Sequence, residues 1–345
     1  MKIGVIGCGY WGPNLVRNLV EGNRCEGVYC FDNLTARTKK LMQRFPSLRG
    51  ASSLVEIVDL CDAVMVATPV NTHYTIAKMA LQAGKAVFVE KPLTNNSIEA
   101  DELVALAEEQ GVVLMAGHTF IFSPPVRKIK QYIDEGALGQ TYFISSSRVN
   151  LGLHRRDVNV IWDLAPHDIS MLIYWLGESP NEVSAVGRAC VGPMIDVASI
   201  HMRFPSGTLA NIEVSWLAPS KLRRTVIVGS KRMVVYDDTL PSEKVRLYDR
   251  SAVIERISPK SFGEYQLTYR DGDLLSPYLD NTEPLLTQTN YFIDCIEHGT
   301  HSESDGRLAS QVVAVTEAAC CSAEQNGAMV AVRNHHASEP VYNVR

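Results

Sequence analysis

The chain has 345 residues, of which 46% are apolar and 21% charged, a balance that excludes a disordered chain, a collagen-like repeat and a disulfide-stapled miniprotein. Lys and Arg number 33 against 38 Asp and Glu, a formal net charge of -5, so no global field draws the protein to nucleic acid or to an anionic membrane. The length exceeds what one hydrophobic core usually holds and points to two domains.

The chain opens on an apolar strand pattern, Lys2-Ile3-Gly4-Val5-Ile6-Gly7, without the long apolar core or small-residue cleavage site of a signal peptide. No apolar run approaches the roughly 20 residues of a membrane helix. A cytoplasmic protein is expected. Eight cysteines are scattered without a C-x-x-C pair, which reads as buried reduced thiols rather than a metal or disulfide framework.

Up to about residue 120, short apolar runs at 2–7, 27–31, 63–67, 86–89 and 112–116 alternate with helical stretches at 12–20, 35–45, 72–83 and 97–110. The runs are apolar throughout, as strands buried on both faces are, and strand-helix-strand repetition predicts a parallel doubly wound sheet. Ser123-Pro124-Pro125 punctuates the pattern before a helix at 126–134, placing the domain boundary near residue 122. From Tyr142 the texture changes to closely spaced strands at 142–149, 182–190, 197–204, 208–216, 224–229 and 232–236, joined by short turns. That spacing argues for a mostly antiparallel sheet. Helices at 284–297 and 307–326 close a second domain expected to span 123–345.

Gly7-Cys8-Gly9-Tyr10-Trp11-Gly12 is a G-x-G-x-x-G turn between the first strand and the first helix. Its first glycine permits the tight turn, its second lets backbone approach a pyrophosphate, and its third lets the helix pack on the strand. Asp32 ends the second strand about 20 residues on, where a carboxylate accepts from an adenosine ribose and repels a 2'-phosphate, favouring NAD over NADP. Arg37 and Lys39 stand close enough in sequence to soften that preference. Thr68 and Pro69 follow the strand at 63–67, at the sheet edge where open α/β folds bind ligands, and are expected to flank the nicotinamide ribose. His73 reads equally as a cofactor contact or as a structural histidine at a helix start.

The strand at 86–89 delivers Glu90-Lys91-Pro92 to the same edge. A lysine beside a cationic nicotinamide has reason to lose proton affinity and can donate to a substrate hydroxyl or developing ketone. Asp163 and His167 are four apart, which on a helix sets a carboxylate and an imidazole on one face. His167 can take a hydroxyl proton as hydride leaves, with Asp163 orienting the ring. A capping Asp and a packed core His is the plainer reading of the same segment.

Taken together, the G-x-G-x-x-G start, A-T-P-x-x-x-H at 67–73, G-K-x-V-x-x-E-K-P at 84–92 and D-x-x-x-H-D at 163–168 resemble the Gfo/Idh/MocA oxidoreductases, over nearly the whole chain. The resemblance implies a Rossmann domain, a C-terminal α/β domain with an open sheet that makes homodimer or homotetramer contacts, and hydride transfer at a sugar or polyol carbon. It assigns catalysis to Lys91, Asp163 and His167. It extends the cofactor contacts to Tyr10, Trp11, Asn33, Asn71, Glu90 and Trp162. Segments 148–152, 157–168 and 215–221 look like the branch acting on nucleotide sugars, which implies oxidation of C3 of UDP-N-acetylglucosamine or of its uronate. The keto product would be aminated by an aminotransferase on the way to lipid A. For a diphosphate substrate the candidate contacts are Arg148, Asn150, Arg155 and Lys221, with His154, Arg156 and Arg223 on neighbouring segments. A solvated sheet edge explains Lys221 and Arg223 as well. A sensor that binds dinucleotide or sugar without chemistry is the rival reading, opposed by the presence of both Lys91 and His167.

Overall fold

The computed structural model describes residues 1–152, 154, 158–255, 266–300 and 302–333. The chain divides into two units, Met1–Phe122 with Glu283–Glu317, and Ser123–Thr282 with Ala318–Val332.

The first unit alternates β1 (Lys2–Ile6), α1 (Gly12–Gly22), β2 (Gly27–Phe31), α2 (Thr35–Arg44), β3 (Arg49–Gly50), α3 (Leu54–Leu60), β4 (Ala63–Val66), α4 (His73–Gln82), β5 (Ala86–Val89), α5 (Ser97–Gln110) and β6 (Leu114–Ala116). The six strands form one parallel sheet in the order β3-β2-β1-β4-β5-β6. All four residues of β4 are fully buried, which is why the central strands read as unbroken apolar runs. Helices α3 and α5 start where side chains satisfy their first amides: Ser53 accepts from Glu56 N at 3.1 Å and Asn96 from Glu99 N at 2.9 Å. Neither β3 nor α3 is anticipated from the apolar pattern, though the S-x-x-E of Ser53 and Glu56 is a legible helix start.

The second unit comprises α6 (Pro124–Asp134), β7 (Thr141–Val149), α7 (Val160–Leu176), β8 (Glu182–Arg188), β9 (Val197–Arg203), β10 (Leu209–Ser215), β11 (Leu222–Gly229), β12 (Met233–Asp237), β13 (Val245–Glu255) and β14 (Gln266–Leu275). Its sheet runs β14-β13-β12-β11-β7-β10-β9-β8-β15, where β15 is Val330–Ala331. Every described pairing is antiparallel except β7 with β10. The buried Ile144, Ile200 and Ile212 lie on the face that carries α7.

The expectation that 123–345 forms a single block is corrected by the closing helices. Helix α8 (Pro284–His298) belongs to the first unit, and α9 (Gly306–Glu324) begins there. Gln288 on α8 donates to the Ala116 carbonyl at 3.2 Å and accepts from Thr119 Oγ1 at 2.8 Å, while Phe292 meets Phe88 edge-on at 5.8 Å. These contacts cover β5 and β6, which would otherwise leave apolar surface in water. All eight cysteines are free thiols, and no helix among the described residues is long and apolar enough to cross a membrane.

Candidate active site

In the first unit, the turn after β1 is shaped by steric exclusion. Gly7 has φ +97°, and a Cβ there would lie 2.5 Å from the Ala67 carbonyl oxygen; a Cβ on Gly12 would lie 1.9 Å from that of Gly7. At Gly9 the nearest atom to such a Cβ is Arg37 Nη1 at 3.9 Å, so space opens above its backbone. Helix α1 starts beside it with no side-chain cap and no acidic residue in its first turn. Open backbone and uncapped amides at a helix N-terminus suit the pyrophosphate of a dinucleotide.

Asp32 lies at the end of β2, buried, with Oδ2 accepting from Cys8 N and Oδ1 from Leu34 N, both at 2.8 Å. Arg37 Nη1 stands 3.4 Å from Oδ2. A carboxylate offers about four acceptor positions, so one is left for a ribose hydroxyl. Tyr10 is 92% exposed and its ring lies near that of Trp11, while Asn33 and Asn71 are exposed on the same edge.

His73 is a brace. Its ring nitrogens lie 2.9 Å from the carbonyl oxygens of Thr68 and Pro92, which ties the turn after β4 to the turn after β5 and leaves neither nitrogen for a cofactor. The expected cofactor contact is thereby corrected: the ring is buried, and burial holds it below the usual imidazole range against the opposing backbone hydrogen bonds. Thr72 Oγ1 lies 2.7 Å from both Thr68 Oγ1 and the Pro69 carbonyl oxygen, so it can donate to the carbonyl while accepting from the Thr68 hydroxyl.

Glu90 and Lys91 follow β5. Glu90 is buried, and desolvation pushes its carboxyl up to about 8 against the pull of the Lys91 ammonium. Beside it, at the end of β6, lies His118, 1% exposed and pushed down to about 3 by burial and by Lys91. Sequence reasoning missed His118; its proximity to Lys91 comes from the pairing of β5 with β6, seen at Val89 and Ala116.

In the second unit, Asn159 caps α7 by accepting from Trp162 N at 3.0 Å. The cap sets the phase of the helix, so that half-buried Trp162 and Asp163 lie in the first turn and half-buried His167 one turn on. Asp163 Oδ2 accepts from the Trp216 indole at 3.0 Å. Trp216 is buried, meets the His154 ring edge-on at 5.3 Å, and donates its backbone N–H to the Asp196 carbonyl at 2.9 Å. His154 Nε2 lies 3.6 Å from Asp196 Oδ2. Burial pushes the Asp196 carboxyl up, but the amides of Val191 and Cys190 outweigh it and hold the group below the usual carboxylate range. Neither Trp216 nor Asp196 figures among the expected site residues.

Arg148 requires a correction. It is 4% exposed, with Nε donating to Asp168 Oδ2 at 2.5 Å and Nη2 to Oδ1 at 3.4 Å; Ser146 also donates to Oδ1, at 2.7 Å. This buried pair fastens α7 to β7 and withdraws the guanidinium from the expected phosphate contacts. Asn150 N donates to the Ser215 carbonyl at 3.1 Å, which sets the segment beside Trp216. Arg223 pairs with Asp238 at 3.3 Å, and Lys221 is exposed. Arg155 and Arg156 lie outside the described residues.

Residues 1–118 match the model of an oxidoreductase family with an NAD-binding Rossmann fold, GFO/IDH/MocA, and residues 126–235 match the GFO/IDH/MocA C-terminal domain. The chain is 30% identical over 253 residues to UDP-N-acetylglucosamine 3-dehydrogenase of Acidithiobacillus ferrooxidans, covering 73% of this chain and 78% of that protein. It is 27% identical to myo-inositol 2-dehydrogenase of Thermotoga maritima, over 69% of this chain and 75% of that one. A solved structure of the Acidithiobacillus enzyme superposes with a TM-score of 0.78 at 27% identity, covering 94% of this chain and 98% of the other.

Proposed function

The chain belongs to the GFO/IDH/MocA family of oxidoreductases, and on that premise we propose that it oxidises the C3 hydroxyl of a UDP-linked N-acetylamino sugar, UDP-N-acetylglucosamine, to the 3-ketone. The protein is an NAD-binding enzyme of the sugar and polyol dehydrogenase type. The observation that carries the choice of substrate is the 30% identity, over 73% of the chain, to a dehydrogenase of that nucleotide sugar.

NAD fits the first unit, where Gly9 leaves room for the pyrophosphate and Asp32 keeps an acceptor for the ribose. When bound, the nicotinamide supplies the hydride acceptor. The chain's own residues handle the proton. His167 accepts it from the substrate hydroxyl, Asp163 holds the imidazole in its working orientation and stabilises its charged form, and the Lys91 ammonium donates to the substrate oxygen as negative charge develops there. Thr68 and Pro69 border the nicotinamide ribose, with Tyr10, Trp11, Asn33, Asn71 and Trp162 as further cofactor contacts. Asn150, Lys221 and Arg155 remain the proposed contacts to the nucleotide sugar.

The face of the nine-stranded sheet that does not carry α7 exposes Phe143 and Leu209, and this supports self-association through that sheet into a dimer or tetramer. A 3-keto sugar is a substrate for an aminotransferase, the class of enzyme proposed to act next.

The test is absorbance of reduced nicotinamide with UDP-N-acetylglucosamine and with its uronate, each against NAD and NADP. The amino sugar with NAD is expected to turn over fastest. Preference for the uronate, or for an inositol, would overturn the substrate. Replacing His167 by Ala is expected to lower turnover by about 100-fold or more, and an unchanged rate would remove it from the role of base.

A further inference from the structure

Glu90 and His118 are buried polar groups within electrostatic reach of Lys91, and the proton and hydride steps proposed above use neither of them. Glu90 Oε1 and both ring nitrogens of His118 lack a hydrogen-bond partner among the described residues. Gly117 leaves no slack on the other side, since a Cβ there would lie 2.7 Å from Glu90 Oε2. The Lys91 backbone N–H and the Trp11 indole N–H both favour the charged carboxyl, and burial outweighs them. Buried polar groups are nearly always paired, and exceptions concentrate where chemistry needs them.

Among the described residues, Lys91 acts on this carboxyl from its own turn, His118 follows the end of β6 and responds to the same ammonium, and His73 at the start of α4 lies against the Pro92 carbonyl next to Lys91. Burial disfavours the charged form of both imidazoles. After burial, the Lys91 ammonium is the strongest influence on the Glu90 carboxyl.

We infer that Glu90, with His118 beside it, is a positioning residue for Lys91: both stay neutral in the working enzyme, so neither adds a charge of its own to the field of the ammonium at the substrate oxygen. Ionisation of Glu90 would set a carboxylate next to the ammonium and cancel much of that field. The inference rests on Lys91 donating to the substrate oxygen, as proposed above.

Two measurements test it, and the first needs no substrate. Infrared difference spectra, wild type minus E90Q, should show a protonated-carboxyl band near neutral pH that disappears as pH rises through about 8. In Lys91→Met that band should survive to higher pH, because the charge favouring the carboxylate is gone. Absence of an E90Q-sensitive band at neutral pH overturns the inference. Should E90Q fail to fold, carbon-13 labelling of glutamate in wild type and Lys91→Met reads the same titration, and a band unmoved by the Lys91 substitution overturns it equally.

The second measurement is the pH profile of kcat. Wild type should lose about tenfold on the alkaline side of pH 8, whereas E90Q, whatever its absolute rate, should lose less than about threefold over the same range. An alkaline limb that persists unchanged in E90Q overturns the role. If the sugars offered give no turnover at all, the substrate reading fails, and the infrared result still decides the role of Glu90.

Discussion

Trp216 donates its indole N–H to Asp163 at 3.0 Å, so the carboxylate one turn before His167 is held from the end of β10 as well as by its own helix. Trp216 is itself buried and fixed through its backbone to Asp196. If Asp163 orients the His167 ring, the indole sets that orientation at one remove. Trp216→Phe, which keeps the ring and removes the donor, is expected to lower kcat by about tenfold while KM changes less than about threefold. Steady-state kinetics with NAD and the nucleotide sugar measure this, and a kcat equal to wild type would detach Trp216 from catalysis.

Two glycines of the dinucleotide turn should respond differently to the same substitution. A Cβ on Gly12 would sit 1.9 Å from a backbone oxygen, whereas the site at Gly9 is open. Gly12→Ala is therefore expected to cost several kcal/mol, on the order of 3–5, or to prevent folding. Gly9→Ala should fold with stability within about 1 kcal/mol of wild type yet bind NADH about tenfold or more weakly, because the methyl group occupies the space of the pyrophosphate. Thermal unfolding and fluorescence titration separate the two outcomes.

What the sequence reveals follows the range of the interaction. The helix at 97–110 and the strands at 27–31 and 86–89 are readable to the residue, because caps and two-sided burial are written locally. Strands β13 and β14 escape notice: they are held in part by cross-strand ion pairs, Arg250 with Asp271 and Arg270 with Asp249, each at 2.6 Å, rather than by a clear apolar alternation. The glycines and Asp32 are legible because one short turn contains their whole chemistry. The role of Arg148 is not, since it is decided by Asp168, 20 residues away and on a different element. Glu90 and His118 likewise become neighbours only when β5 and β6 pair.

The Arg148–Asp168 pair makes a prediction about stability rather than substrate binding. Both side chains are nearly inaccessible, at 5% and 2%. Arg148→Met strands a buried carboxylate and should destabilise the protein by about 3–5 kcal/mol, while the double replacement Arg148→Met with Asp168→Leu should recover most of that loss. In any variant that folds, KM for the nucleotide sugar should move less than about threefold. Urea unfolding and steady-state kinetics on the same preparations test both parts, and a large KM change without loss of stability would return Arg148 to the phosphate site.

The same buried groups that flank Lys91 shape the pH dependence of stability, with opposite signs. His118 has a folded value of about 3 against an ordinary 6.5, so between these limits the unfolded chain binds the extra proton and stability falls as pH falls, by up to about 1.4 kcal/mol per pH unit. Glu90 has a folded value of about 8 against 4.5. Its contribution is fully present below 4.5 and is lost as pH rises toward 8, at a similar slope, because there the folded state keeps a proton that the unfolded chain releases. From pH 4.5 to 6.5 these two slopes oppose each other; of the two, only His118 acts from about 3 to 4.5 and only Glu90 from 6.5 to about 8. His73, also held below its ordinary range, adds to the acid side. Urea titrations at a series of pH values should therefore show stability declining on both flanks. Replacing His118 with Phe should shallow the acid flank, and Glu90→Gln should shallow the alkaline one; a variant that shifts the whole curve without changing either slope would show that its side chain acts through packing alone.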